Sequence, residues 1–353
     1  MNAPAEPGPD GLLLVDKPAG VTSFAVVAHV RRALREAFPA VAGDAGGRRG
    51  KGRARLKCGH AGTLDPLATG LLLVLAGRST RLAGFLLGLD KVYAATVRFG
   101  RATDTLDRDG APLAAAAVPA APAAVANALA AFRGRITQVP PVYSALKRDG
   151  RPLYELAREG RDPAPPAPRE VTLSRLELVA SRWDEAPPAG TDPAFLPADG
   201  RLYEVDLVVE CSSGTYIRSL ARDLARAAGS EGHLQALRRL RVGPFDIGGA
   251  VTGVLDRDGA DLATALRPAA AALPHLPALS VDAARAAALR QGGQPAADWL
   301  ADLQGDPVRV GDRGRLFRML DDAGRLVAIG RIDETTGAPR LALVVPRENT
   351  RCD

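Results

Sequence analysis

Aromatic side chains are scarce: Phe, Trp and Tyr make up 4% of the 353 residues. Cysteine is scarcer still. Cys58, Cys211 and Cys352 form no CxxC pair, which excludes a disulfide scaffold and suits a reducing compartment. The four histidines, His29, His60, His233 and His275, are far apart, so no zinc-ligand cluster can be read, and neither metal nor other cofactor is expected. No uninterrupted apolar run approaches the ~18 residues of a membrane helix. The opening MNAPAEPGPDG has neither the basic nor the apolar region of a signal peptide, so a cytoplasmic location with no membrane association is expected.

Hydrophobic residues account for 46% of the chain and charged residues for 24%, the balance of an ordinary globular protein with a substantial core. The length suits two domains, or one large domain with an appendage. The formal net charge is +6 and the isoelectric point is about 9.5, which permits a polyanionic partner without demonstrating one. The richness in Ala, Gly, Pro and Arg looks like a GC-rich coding bias, which weakens the inference from arginine. The charge is also uneven: residues 31–60 hold nine basic and two acidic side chains, a net of +7.

Along the chain, residues 1–10 read as a disordered leader. GLLLVDKPAG (11–20) reads as a buried strand ending in a Lys-Pro turn. Thr22-Ser23 can cap a helix over 24–38. Residues 40–56 are Gly- and Arg-rich without apolar periodicity and predict a basic loop. LLLVLAG (71–77) and KVYAATVRFG (91–100) read as strands, and 123–134 as an Ala-rich helix ending at Gly134. RDPAPPAP (161–168) reads as a stiff connector. Strands are expected over 171–180 and 201–210, joined by an exposed hairpin insertion at 181–200, and a helix over 217–229. After a weaker Ala/Pro region, 279–346 alternates as a short helix and several strands, the pattern of a small β-barrel.

Four segments could carry chemistry. In CGHAGTLDPLATG (58–70), glycines permit close backbone approach and Pro66 forces the residue before it toward extended geometry. Asp65 is thereby presented on a stiff loop, or else merely braces a turn. In CSSGTYIRSLARDLA (211–225), Arg218 stands in the first turn of a helix, where the dipole disfavours a cation. A nearby carboxylate would compensate. Asp65 is one candidate; a solvated arginine, or a pair with Asp223, is the plainer alternative. In KVYAATVRFGRATDTLDRDG (91–110), Tyr93 is either core or a stacking platform. TDTLDRDG lacks the ligand pattern of a calcium loop and reads as an Asp/Gly turn. In 138–160, Tyr143, Lys147, Arg148, Arg151, Tyr154 and Arg158 interleave aromatic and basic groups, suited to RNA or to an ordinary solvated helix face.

Taken together, GLLLVDKPAGVTS, GHAGTLDPLATG, KVYAATVRFGRATDTLDRDG, VPPVYSALKRDGRPLYELAREG and CSSGTYIRSLARDLA resemble, in this order, the bacterial tRNA pseudouridine synthase B family over residues 11 to about 250. The resemblance implies an α+β fold: a catalytic domain over 11–255 with a large mixed, mainly antiparallel sheet, and a β-barrel-like PUA RNA-binding domain over 279–346. It implies an isomerase that turns uridine 55 of the tRNA T-loop into pseudouridine. Asp65 would be the nucleophile, and His60 would hold the flipped-out conformation of the T-loop. Tyr93 would stack on the uracil, Tyr216 would line the pocket, and Arg218 would pair with Asp65. Leu237, in HLQALRRLRVG, would contact the base, and Lys17 with Pro18 would brace the catalytic loop. A carboxylate attacks only when ionised, and a guanidinium partner favours that form. A stacked uridine must be extruded to be reached. The T-arm of tRNA is the expected partner, with no obligatory protein partner and a monomeric enzyme. The insertions at 40–56 and 181–200 exceed the family's usual lengths. The rivals are an RNA-guided relative working with partner proteins, and an RNA chaperone without turnover.

Overall fold

In the computed structural model, residues 9–39, 56–119, 121–148, 150–159 and 164–346 are described. The expected basic loop at 40–56 lies outside them except for Leu56, and the expected leader except for Pro9 and Asp10. Asp10 is not part of a loose tail. Its carboxylate accepts from Arg78 Nε and from the Ser79 backbone and hydroxyl, each at 2.8 Å or less. Two compact units form: Met1–Pro66 with Gly70–Leu89 and Gly243–Asp353, and Leu67–Thr69 with Asp90–Val242.

In the first unit, β1 (Gly11–Lys17) and β3 (Thr69–Ala76) pair antiparallel from Gly11 opposite Ala76 to Lys17 opposite Gly70. The short β2 (Cys58–His60) pairs with the end of β3. Both long strands are apolar without alternation because nearly every side chain in them is buried. Helix α1 (Ser23–Ala37) starts where Thr22 Oγ1 accepts from the Ala25 amide at 3.0 Å. Its stripe of Val26, Val27, Val30, Ala33 and Leu34 is the 3.6-residue periodicity made physical, packed with Leu13, Val15, Leu72 and Val74. The chain later returns to this unit and builds a six-stranded sheet between Ala278 and Val344. Arg315–Leu320 runs antiparallel to Leu326–Ile332 and parallel to Ala278–Ser280. Helix Ala283–Arg290 covers it through Ala286 and Leu289.

The second unit is an antiparallel sheet in the order Gly232–Val242, β4 (Lys91–Phe99), Leu202–Cys211, Arg169–Glu185 and β7 (Gly134–Gln138). A small hairpin of β5 (Arg101–Thr103) and β6 (Pro112–Ala115) follows β4. Helices Pro122–Leu129 and Ile217–Ala227 complete the unit. The fold class is thus α+β, as expected, and the elements expected over 11–17, 71–77, 91–100 and 201–210 form as strands. The Ala-rich helix is shorter than expected. It stops at Leu129 and tightens into a 3₁₀ turn over Ala130–Phe132, while Gly134, at φ 81°, opens β7. The insertion also differs. Its first strand runs to Glu185, and Leu196 is buried, its carbonyl accepting from Arg101 Nε and Nη2 at 3.1 and 2.9 Å. The buried leucine and its carbonyl, satisfied by Arg101, anchor this stretch at one point, while most of 181–200 is exposed as expected. Among the described residues no helix is long and apolar enough to cross a membrane.

Candidate active site

In the first unit the site begins with a buried lysine. Lys17 is 0% exposed, so its ammonium must find acceptors. It finds three carbonyls: Pro18 and Val21 at 2.8 Å and Pro66 at 3.2 Å. The amide of Gly20, at φ 79°, donates to the same Pro66 carbonyl at 2.9 Å. On the other side of Asp65, Ser23 Oγ accepts from the Leu64 amide at 2.8 Å and donates to the Leu64 carbonyl at 3.0 Å. The residues either side of Asp65 are therefore both tied to the β1–α1 connection, and Asp65 itself is half-buried. His60 stands at the end of β2, opposite Val74. Ser23, expected only as a capping residue, is the anchor that sequence reasoning missed. Thr22 caps the helix and leaves the Ser23 hydroxyl for Leu64.

In the second unit, ladder register puts Tyr93 opposite Arg239 on one neighbour and opposite Val209 on the other, with Ala95 opposite Leu237. Directly paired residues share a face, as do residues two apart, so Tyr93, Leu237 and Arg239 lie on one face. Tyr93 and Leu237 are 7% and 8% exposed. The Leu237 carbonyl accepts from Thr69 Oγ1 at 3.5 Å. Lys91, two residues before Tyr93, is buried. Desolvation, then the positive charge of Arg239, pulls its pKa down to about 8.

Tyr216 stands at the N-cap position of the helix Ile217–Ala227, and its backbone is fixed by Gln138. The Tyr216 amide donates to Gln138 Oε1 at 2.8 Å, and Gln138 Nε2 donates to the Tyr216 carbonyl at 3.0 Å. Arg169 lies over the tyrosine ring, 5.5 Å from its centroid. Arg218 is 5% exposed. It donates from Nη1 to the Thr105 carbonyl at 2.9 Å and from Nη2 to the Tyr143 carbonyl at 2.8 Å. Its Nε stands 3.5 Å from Asp107 Oδ2.

Asp107 is a carboxylate set against the first-turn arginine that sequence reading did not find. The plainer alternatives for Arg218 are overturned: it is not solvated, and Asp223 pairs with Arg222 at 2.7 Å instead. Asp107 is itself buried. Its Oδ1 accepts from Thr105 Oγ1 at 2.7 Å and from the Asp109 amide at 3.1 Å. The turn is tight enough that a Cβ on Gly110 would stand 2.2 Å from Thr105 Oγ1. Leu106 takes φ 65°, an unusual value for a branched residue. TDTLDRDG is therefore an aspartate cradle for a guanidinium, not a metal loop. Of the aromatic–basic segment, Tyr143 contributes its backbone. Lys147–Arg148 and Arg151–Pro152 form a two-residue hairpin before the short helix Leu153–Arg158, so the single helix face does not form.

The family model for TruB family pseudouridylate synthase (N terminal domain) matches residues 49–217, and that for the tRNA pseudouridylate synthase B C-terminal domain matches 218–273. The chain is 43% identical to a tRNA pseudouridine synthase B of Aromatoleum aromaticum, covering 80% of each chain. It is 40% identical to one of Gluconacetobacter diazotrophicus over 92% of this chain and 94% of that protein. Among solved structures, a Cbf5-Nop10-Gar1 complex aligns with TM-score 0.63 at 25% identity, over 98% of this chain and 90% of that one. The archaeal box H/ACA sRNP Nop10-Cbf5 complex aligns at 0.62 and 21% identity, over 97% and 88%. The latter likeness shows the fold alone.

Proposed function

Since the chain belongs to the TruB family of pseudouridylate synthases, we propose that it converts uridine 55 of the tRNA T-loop to pseudouridine, with Asp65 as nucleophile. The observation that carries this reading is the grip on the GTLDP loop. Lys17, Gly20 and Ser23 hold both neighbours of Asp65 by backbone atoms alone. Such a grip presets the backbone that carries the carboxylate and costs no reorganisation during reaction.

In the reaction the N–C glycosidic bond breaks, the uracil turns, and a C–C bond to the same ribose forms. A proton leaves the base carbon and one is returned to nitrogen, with no net oxidation or hydrolysis. The chemistry therefore calls for no metal or other cofactor. Asp65 attacks as carboxylate. Arg218 orients it, and Asp107 and two backbone carbonyls hold the guanidinium fork in turn. Tyr93 offers its ring to the extruded uracil. Tyr216 and Leu237 line the pocket, and His60 holds the T-loop open. Residues 11–255 act as the catalytic domain and 279–346 as a PUA-like RNA-binding domain. The enzyme works in the cytoplasm as a monomer, on bare tRNA, without guide RNA or protein partner. Identities of 40–43% to tRNA pseudouridine synthase B proteins, against 21–25% to Cbf5 structures, favour this reading over the RNA-guided one.

The test is to incubate the pure protein with an unmodified tRNA transcript and map pseudouridine in the T-arm. Pseudouridine at position 55 is expected. None at that position, or activity only with added guide RNA and proteins, would overturn the proposal.

A further inference from the structure

Phe24 is the most exposed large apolar side chain among the described residues, at 68%, and the only aromatic among those exposed. In a chain with 4% aromatics this is costly placement, since a ring in water gains nothing for the fold. The site is also rigid. Phe24 is in the first turn of α1, between Ser23, bonded twice to Leu64, and Ala25, whose amide is bonded to the Thr22 cap. Pro18, Ala19 and Gly20, exposed beside it in sequence, are tied through Lys17 and the Gly20 amide to Pro66. Beside Gly20 the space is open, with no atom within 4 Å of where a Cβ would stand.

The same bonds that hold the backbone on either side of Asp65 thus hold the backbone next to an exposed ring. We infer that Phe24 is a stacking platform for an unpaired base of the RNA substrate next to the one undergoing reaction. The inference rests on the proposed activity toward tRNA. Extruding one base breaks the stack of its neighbours. A phenyl ring one residue from the Ser23–Leu64 anchor would replace the lost stacking partner without reading sequence. The first consequence is on substrate affinity, since a ring that stacks on a neighbouring base takes no part in bond making at the reacting one.

The experiment compares Phe24→Ala, Phe24→Leu and Phe24→Trp with wild type, by tRNA affinity in a filter-binding assay and by steady-state pseudouridine formation. For Phe24→Ala, Kd and KM for tRNA are expected to rise about tenfold, within the range of one lost base–aromatic stack, with kcat within twofold. Phe24→Leu should behave like Phe24→Ala, and Phe24→Trp like wild type. The Phe24→Ala melting temperature should match wild type, because the ring is exposed. An Ala variant that binds tRNA within twofold of wild type, or that unfolds, overturns the proposal, as does a Leu variant that restores affinity. A wild-type protein that binds tRNA but forms no pseudouridine would sink the proposed activity instead, and the affinity comparison would still decide on Phe24.

Discussion

Asp65, Arg218 and Asp107 differ in what each change removes. Asp65→Asn keeps the shape and deletes the proposed nucleophile. Saturated turnover is expected to fall at least about a hundredfold while tRNA affinity stays within a few-fold; single-turnover pseudouridine assays and filter binding check both. Asp107 stands against Arg218, so in the proposed mechanism it is a positioning residue. Asp107→Asn keeps the acceptor for Thr105 and Asp109 but uncouples a buried guanidinium, at a cost of about 3 kcal/mol in unfolding free energy. Its kcat should fall more than tenfold with KM nearly unchanged, a split that mere destabilisation would not produce well below the melting temperature. Arg218→Lys should be intermediate and Arg218→Ala severely slowed, because lysine keeps a charge but cannot reach Asp107, Thr105 and Tyr143 with one planar fork.

Among the elements, the β1–α1 connection is the one that holds the loop carrying Asp65. Three carbonyls converge on one buried ammonium, so Lys17→Met leaves them without a donor in an apolar setting. A loss on the order of 2 kcal/mol is expected from denaturant unfolding, with kcat reduced more than tenfold as the Leu64–Pro66 backbone loosens. Met matches the stem of lysine, so a variant with full activity would show that the ammonium is not needed to hold the loop. The β5–β6 turn is the second such element. Its Asp/Gly content looked like ordinary turn chemistry, yet the Thr105 hydroxyl and carbonyl are both used, one on Asp107 and one on Arg218.

At the scale of the whole molecule, charge governs the pH response and, under the proposed function, RNA capture. The folded-state pKa of Lys91 is lowered to about 8 from an ordinary 10.5, chiefly by burial. Between those values the unfolded chain binds more protons than the folded one, so stability rises with pH there; the penalty is fully present below about pH 8. From pH 7 to 9 this group should add about 1 kcal/mol to the unfolding free energy, and a Lys91→Met protein should lack that increment. The basic stretch gives a test independent of fold. Replacing Arg48, Arg49, Lys51, Arg53 and Arg55 with Ala should weaken tRNA binding and lower the log–log salt slope by roughly one unit per lost phosphate contact, with kcat little changed. An unchanged slope in a binding titration would make the stretch a tether.

Sequence alone determined the apolar strands, the α1 stripe with its Thr22 cap and the α+β class, because these depend on local spacing and on which side chains avoid water. It also singled out Asp65 on a stiff loop and Tyr93 on a strand, because Pro66 and period-two alternation act locally. What it could not supply were the partners. Ser23 and Leu64 are 41 residues apart and Lys17 and Pro66 are 49 apart, while Arg218 reaches Thr105 across 113. Nothing in the residues near Arg218 distinguishes Asp107 from Asp223, which stands five positions along the same helix. Only the packing of the β5–β6 turn against that helix decides, because a buried guanidinium pairs with the carboxylate that the tertiary structure brings to it, not with the nearest one in the chain.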